Sequence, residues 1–224
     1  MEHRLAHTAQ VNHDLPLLSR AGHWDAVYAE RGEDGVSWFT PRPTTSVELL
    51  DAAGLGPERS VIDIGAGASR LTDELIARGY TDLTALDVSD NGLAVTRGRL
   101  GGAADRVGWI VTDLLDWRPP RRFDAWHDRA VFHFLTDPAD RSRYTAVLDA
   151  ALAADGVVVI GAFAEDGPQA CSGLPTVRYA PEELLDALGG PARWTELARR
   201  REHHTTPSGA DQVFTWLALR RRAA

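Results

Sequence analysis

The sequence predicts an α/β fold, a mostly parallel sheet flanked by helices that closes on a C-terminal antiparallel hairpin. Three observations predict it. Short β-branched runs alternate with helical patterns from about residue 60 onward, which marks a parallel sheet with crossover helices. The strand, glycine turn and helix that begin at Ser60 are followed at once by a second strand–helix unit. The last two strand-like runs are joined by Thr206-Pro207-Ser208-Gly209, too short for a crossover helix, so that pair is antiparallel.

The elements follow in order. Ahead of the sheet, Trp24 to Arg31 reads as a short helix, and Thr45-Ser46-Val47-Glu48 offers a capping box for a helix through Ala53. Between them Gly32 to Pro43 carries Trp38 and Phe39 amid glycine and proline. Ser60 to Ile64 is a strand ending in Gly65-Ala66-Gly67, after which Leu71, Leu75 and Ile76 share one helical face until Gly79. Thr81 to Leu86 is the next strand, closed by Asp87, with Asn91 to Leu100 its helix and Gly101-Gly102 a stop.

Val107 to Thr112 and Phe123 to His127 are two more strands, split by a loop with a Pro119-Pro120 breaker. Asp137 caps a helix with Pro138 in its first turn, and Tyr144, Val147, Leu148, Ala151 and Leu152 recur at helical spacing before Asp155-Gly156 ends it. Gly156 to Ile160 is a buried central strand, and Pro181 to Leu188 a short helix stopped by Gly189-Gly190. Arg193 to His203 and Gln212 to Arg220 form the hairpin. There is no internal repeat, low-complexity tract or linker.

Composition removes several function classes. The 224 residues are 44% apolar and 25% charged, the make-up of one soluble globular unit. The longest apolar stretches, such as Gly156 to Ala164, are far below the roughly 20 residues that span a bilayer, so no membrane association is expected. The first 20 residues hold no continuous apolar run, and a cytoplasmic location is the expectation. A net charge of −8 argues against nucleic acid. All 24 basic residues are arginine, which removes Schiff-base chemistry and a P-loop lysine. Cys171 is the only cysteine, so no disulfide and no multi-thiolate metal site exists. His203 and His204 are adjacent on a strand and point to opposite faces, and no metal is expected. The runs Arg199–Arg201 and Arg220–Arg222 read as solvated strand ends.

The glycine turn after the first strand lets backbone amides approach a ligand. Asp87 follows Gly65 by 22 residues, at the end of the second strand, where a carboxylate accepts both hydroxyls of a ribose. Arg70 replaces the third glycine of G-x-G-x-x-G, which counts against a dinucleotide crossing on its pyrophosphate and favours a nucleoside without phosphates. Asp113, after the third strand, is placed to accept from an adenine amino group. Each feature alone also reads as an ordinary turn or loop end. Three at consecutive strand ends point to one ligand.

With these motifs the sequence resembles the class I S-adenosylmethionine-dependent methyltransferases from Ser60 to Arg220. Val61 to Ser69 resembles the family's first motif, Leu83 to Ser89 its acidic loop, and Thr112-Asp113-Leu114 its adenine-contacting loop. Ser69 stands where many members have a third glycine. The resemblance implies a Rossmann-like three-layer sandwich with a seven-stranded, mostly parallel sheet and S-adenosyl-L-methionine as cofactor. It implies that Asp63, Gly65 and Gly67 surround the methionine moiety, Asp87 holds the ribose, and Val88, Asp113 and Leu114 border the adenine, with His127 also near the cofactor. Residues 1–58 then form an N-terminal helical lid or cap, and 59–224 the methyltransferase domain.

The acceptor is expected at the loop after the fourth strand, His127 to Phe134. The Asn/Asp-Pro-Pro signature of amino-methyltransferases is absent there. Asp128-Arg129-Ala130 and Trp24-Asp25-x-x-Tyr28 are similar to thiopurine methyltransferase-like small-molecule methyltransferases, and some protein-lysine methyltransferases share a comparable N-terminal tryptophan segment. His127 and His133 are candidate bases with Asp128 to orient them, and Arg129 a candidate anchor for an anionic acceptor. Each also reads as a structural residue. Trp24, Tyr28, Trp38 and Phe39 are candidate lid residues, or simply packing for an N-terminal helix, and Cys171 lies in a Gly/Pro-rich loop that borders the acceptor. The expected function is methyl transfer to an S, O or N atom of a small molecule. A protein-lysine acceptor, a non-catalytic nucleoside-binding module and a nicotinamide oxidoreductase are the other readings. The oligomeric state, a homodimer included, is left open.

Overall fold

The computed structural model describes residues 19–223. Its sheet has seven strands, β1 (Val61–Ile64), β2 (Leu83–Asp87), β3 (Val107–Val111), β4 (Phe123–Arg129), β5 (Leu152–Phe163), β8 (Trp194–Thr205) and β9 (Asp211–Arg221). They lie in the order β3-β2-β1-β4-β5-β9-β8. The first five pair in parallel, and β9 inserts antiparallel between β5 and β8. A small separate hairpin joins β6 (Ala170–Cys171) to β7 (Leu174–Pro175).

The strand sequences dictate two cores. Ile62, Trp126, Val158 and Ile160 face one side with Leu217 and Leu219, where Tyr144 and Leu148 of α5 (Pro138–Ala151) and Leu184 of α6 (Pro181–Ala187) cover them. Their immediate neighbours Val61, Ala125, Val157 and Val159 face the other side. There Leu49 and Leu50 of α2 (Thr44–Ala52), Leu71 and Leu75 of α3 (Leu71–Ala77), and Leu93 of α4 (Asp90–Leu100) pack. Successive side chains of a strand alternate faces, so a strand sealed on both sides must be apolar throughout. β5 is buried continuously from Gly156 to Phe163. The result is a three-layer sandwich. No helix among the described residues is long and apolar enough to cross a membrane.

Helix α1 (Arg20–Arg31) crosses the amino end of α4 and starts four residues before the expected Trp24, because the Ser19 hydroxyl accepts from Gly22 N at 3.2 Å. Two local expectations are corrected. The capping box at Thr45 does not form: α2 begins at Thr44 behind Pro43, and the Ser46 hydroxyl bonds a histidine on β4 instead. Asp155-Gly156 does not end α5, which stops at Ala151; both residues belong to the entry of β5, where pairing with β4 shifts register between Phe123 and Ala125. Gly101 does stop α4, at φ +54°, and a 3-10 turn runs on from it through Arg106. Asp137 likewise caps α5, accepting from Ala139 N at 2.8 Å.

Candidate active site at the carboxyl ends of the parallel strands

The ends of β1 to β4 and the helical segment above them line a cleft that is open to solvent on one side. Loops at strand ends can carry polar groups without disturbing the sheet, which is why ligands gather there. At the end of β1, Gly65 (φ +65°) lies in the cleft wall, and a Cβ on it would collide with Val131. Gly67 (φ +43°) sits behind the wall, with the Tyr28 hydroxyl where its Cβ would be. Both need the left-handed backbone that glycine adopts without strain.

Asp87 closes β2 and lines the cleft beside Val88. Its Oδ2 accepts from Gly67 N at 2.9 Å and its Oδ1 from Ser89 N at 2.7 Å. Burial pushes its pKa up to about 6, against the opposing pull of the Ser89 and Gly67 amides. Ser89 caps α4 and donates to Asp25 at 2.6 Å, which ties α1 to this loop.

After β3, Asp113 and Leu114 also line the cleft. Asp113 accepts from Leu115 N at 2.9 Å through Oδ1 and from Arg20 at 3.1 Å through Oδ2. The same guanidinium donates to Asp140 at 2.6 Å. Arg20 was silent in the sequence, since its partners lie 93 and 120 residues away.

The four candidates after β4 do not converge. His127 is buried, its Nδ1 2.7 Å from Asp63 Oδ1 and its Nε2 2.9 Å from Ser46 Oγ, so neither nitrogen reaches the cleft. The other Asp63 oxygen is buried with no partner. Asp128 points to the opposite face, accepting from Val131 N at 2.9 Å and Tyr144 Oη at 2.7 Å, while Tyr144 accepts from Trp126 Nε1 at 2.8 Å. Burial raises the Asp128 pKa to about 6. His133 is fully enclosed against Phe163 and accepts from Phe163 N at 3.3 Å. Burial, helped by the Arg129 charge, lowers its pKa to about 3 and holds it neutral. Arg129 alone of the four lines the cleft. Ala130 follows it at φ +72°, an uncommon conformation for a side-chain-bearing residue, and also lines the cleft.

Of the lid candidates, Trp24, Tyr28 and Trp38 form one wall. Trp38 meets Trp24 and Tyr28 edge-on at 5.5 and 5.9 Å, and Phe134 meets Trp24 at 5.1 Å. Phe39 packs with the Val27 cluster outside the wall. Cys171 is buried near Ser37, its Sγ 3.7 Å from Oγ, and burial raises its pKa, the state of an unreactive thiol. His203 is exposed, and His204 is buried against the Ser37 carbonyl oxygen at 2.8 Å. The wall also uses Val131 and Phe134, within the His127-to-Phe134 loop expected to face the acceptor, and Leu135 just beyond it.

Comparison with known proteins agrees with this architecture. Residues 61–156 match a family model described as a methyltransferase domain. The chain is 23% identical over 188 residues to mouse EEF1A lysine methyltransferase 2, covering 76% of this chain and 70% of that protein. It is 26% identical over 106 residues to mouse eEF1A lysine and N-terminal methyltransferase, covering 45% of this chain but only 15% of that longer protein. Among solved structures, one concerned with conversion of a disulfide bond into a thioacetal group during echinomycin biosynthesis superposes with a TM-score of 0.70. The two are 23% identical, covering 90% of this chain and 92% of that one. Burkholderia thailandensis 1,6-didemethyltoxoflavin-N1-methyltransferase, bound to 1,6-didemethyltoxoflavin and S-adenosylhomocysteine, superposes at 0.63 with 22% identity, covering 93% and 92%. The family match runs from β1 to the entry of β5, and the structural likeness extends over the rest of the sheet, so the fold is that of these methyltransferases.

Proposed function

We propose that the protein is an enzyme that transfers a methyl group from S-adenosyl-L-methionine to an S, O or N atom of a small molecule. The observation that carries this reading is Asp87, a buried carboxylate already oriented by two backbone amides at the edge of a largely apolar cleft. Its unused lone pairs suit the two hydroxyls of a ribose. Asp63 does not line the cleft, but its buried oxygen, without a partner among the described residues, is an acceptor suited to an ammonium group. Val88, Asp113 and Leu114 would flank the base.

When bound, the donor supplies a methyl group on a positively charged sulfur. The chain's residues have to orient the partners and exclude water. Trp24, Tyr28 and Trp38 do the second, as the described part (19–58) of a cap over the domain at 59–224, which supplies Phe134 against them; residues 1–18 of that cap lie outside the described residues. No histidine in the β4 loop faces the cleft, so the acceptor is a nucleophile that needs no proton removed by His127 or His133. The likeness to mouse EEF1A lysine methyltransferase 2 supports a protein-lysine acceptor as the second reading.

The test is calorimetry with S-adenosylhomocysteine, followed by transfer of label from tritiated donor to a panel of thiols, phenols, amines and lysine peptides. Micromolar binding with label on a small nucleophile is expected. Failure to bind the nucleoside removes the proposal, and label confined to peptides moves it to the second reading. The chain contains no lysine, so self-modification cannot mimic that result.

A further inference from the structure

A guanidinium removed from water needs a counter-charge, because an unpaired buried charge is strongly unfavourable. Arg129 lacks one. It is partly buried in the cleft wall, Nη1 donates to the Trp38 carbonyl oxygen at 2.7 Å, and Nη2 is buried without a partner. The acids nearest in effect are Glu202 and Asp63, and both are engaged elsewhere, Glu202 with Trp216 Nε1 at 2.7 Å and Asp63 with His127. The guanidinium rests over Phe214 at 5.0 Å. Arg20, the other cation in the wall, is neutralised by Asp113 and Asp140. The cleft therefore has carboxylates at its β2 and β3 end and one uncompensated positive charge at its β4 end.

We propose that the acceptor is a small molecule bearing a carboxylate, and that Arg129 is the residue that selects it. The inference rests on reading the cleft as a methyl-transfer site. A planar guanidinium matches a carboxylate with two parallel hydrogen bonds, and the apolar surroundings of Trp24, Trp38 and Phe134 strengthen such a pair. A cationic amine would meet Arg129 as a like charge, which discriminates against it. The acceptor's charged end lies toward β4, away from Asp87 and Asp113, and this fixes which end faces the donor.

The test titrates the protein, with and without saturating S-adenosylhomocysteine, against matched pairs: benzoate and benzamide, salicylate and salicylamide, thiosalicylate and its amide, with benzylamine as the cation. At least one anion is expected to bind about tenfold more tightly than its amide. The preference disappears in Arg129→Gln and survives in part in Arg129→Lys. Wild-type protein that binds no anion better than its amide, or that prefers benzylamine, overturns the proposal, as does an Arg129→Gln protein that keeps the preference. If the glutamine variant does not fold, the wild-type and lysine comparisons decide. Failure to bind S-adenosylhomocysteine counts against the donor reading, while the anion preference without it still judges Arg129.

Discussion

Replacing Asp87 with asparagine separates the cost of the site from its use. The carboxylate is 7% exposed and its pKa is pushed up to about 6 from 3.8, chiefly by burial. At 1.36 kcal/mol per unit, keeping it ionised costs the folded state about 3 kcal/mol at neutral pH. A raised folded-state pKa means that this cost is absent below about pH 4, grows through pH 4 to 6 and is complete above. Asp87→Asn removes it but sets an amide NH2 against one of the Gly67 and Ser89 donors, losing about 1–3 kcal/mol. The variant therefore folds with stability within about 2 kcal/mol of the parent. Nucleoside binding suffers more, because two hydroxyls lose a charged acceptor, and affinity drops about 10- to 100-fold. Calorimetry of S-adenosylhomocysteine from pH 5 to 8 checks this. The ionised form is the binding form, so wild-type affinity falls as pH drops through about 6, about tenfold by pH 5, while the variant stays flat. A variant that binds like the parent at pH 7.5, or a parent indifferent to pH over this range, refutes the reasoning.

Other outcomes follow from the buried polar pairs. His127→Leu strips Asp63 of its partner and is expected to cost about 3 kcal/mol or more in urea unfolding, against about 1 kcal/mol for Ser46→Ala. Equal losses would show that the histidine does not hold the carboxylate. Tyr144→Phe keeps the ring and removes the donor to Asp128, a loss of about 1–3 kcal/mol at pH 7.5. The loss shrinks at pH 5, where Asp128, with its pKa near 6, is protonated in both proteins. An unchanged loss at the two pH values would rule out an ionised Asp128 as the partner.

The strands and the glycine turn were legible because their signals are local. Val61 to Gly67 contains its own strand, its turn and the residues that permit the positive φ angles. The stop of α5 was not, since Asp155-Gly156 reads as a helix terminator until the pairing of β4 with β5 claims it. The β4 loop misled for a related reason. His127, Asp128 and Arg129 are neighbours in the chain, but alternation along the strand sends Asp128 to α5 and leaves His127 and Arg129 on the other face, His127 against α2 and Arg129, at the strand end, in the cleft wall. Period two separates Asp128 from the other two, and only the placement of α2 and of the cleft divides His127 from Arg129. Nothing local marks Arg20, whose position is set by acids on β3's loop and α5.

That guanidinium has a kinetic consequence. It is 48% exposed, and ion pairs so open to solvent are each worth about a kilocalorie or less. The link they make in the cleft wall, between the start of α1, the loop after β3 and α5, is a fastening that dissolved electrolyte loosens. Raising the salt concentration should then speed passage of a nucleoside into the cavity, opposite to the slowing that salt imposes wherever charge draws a ligand in.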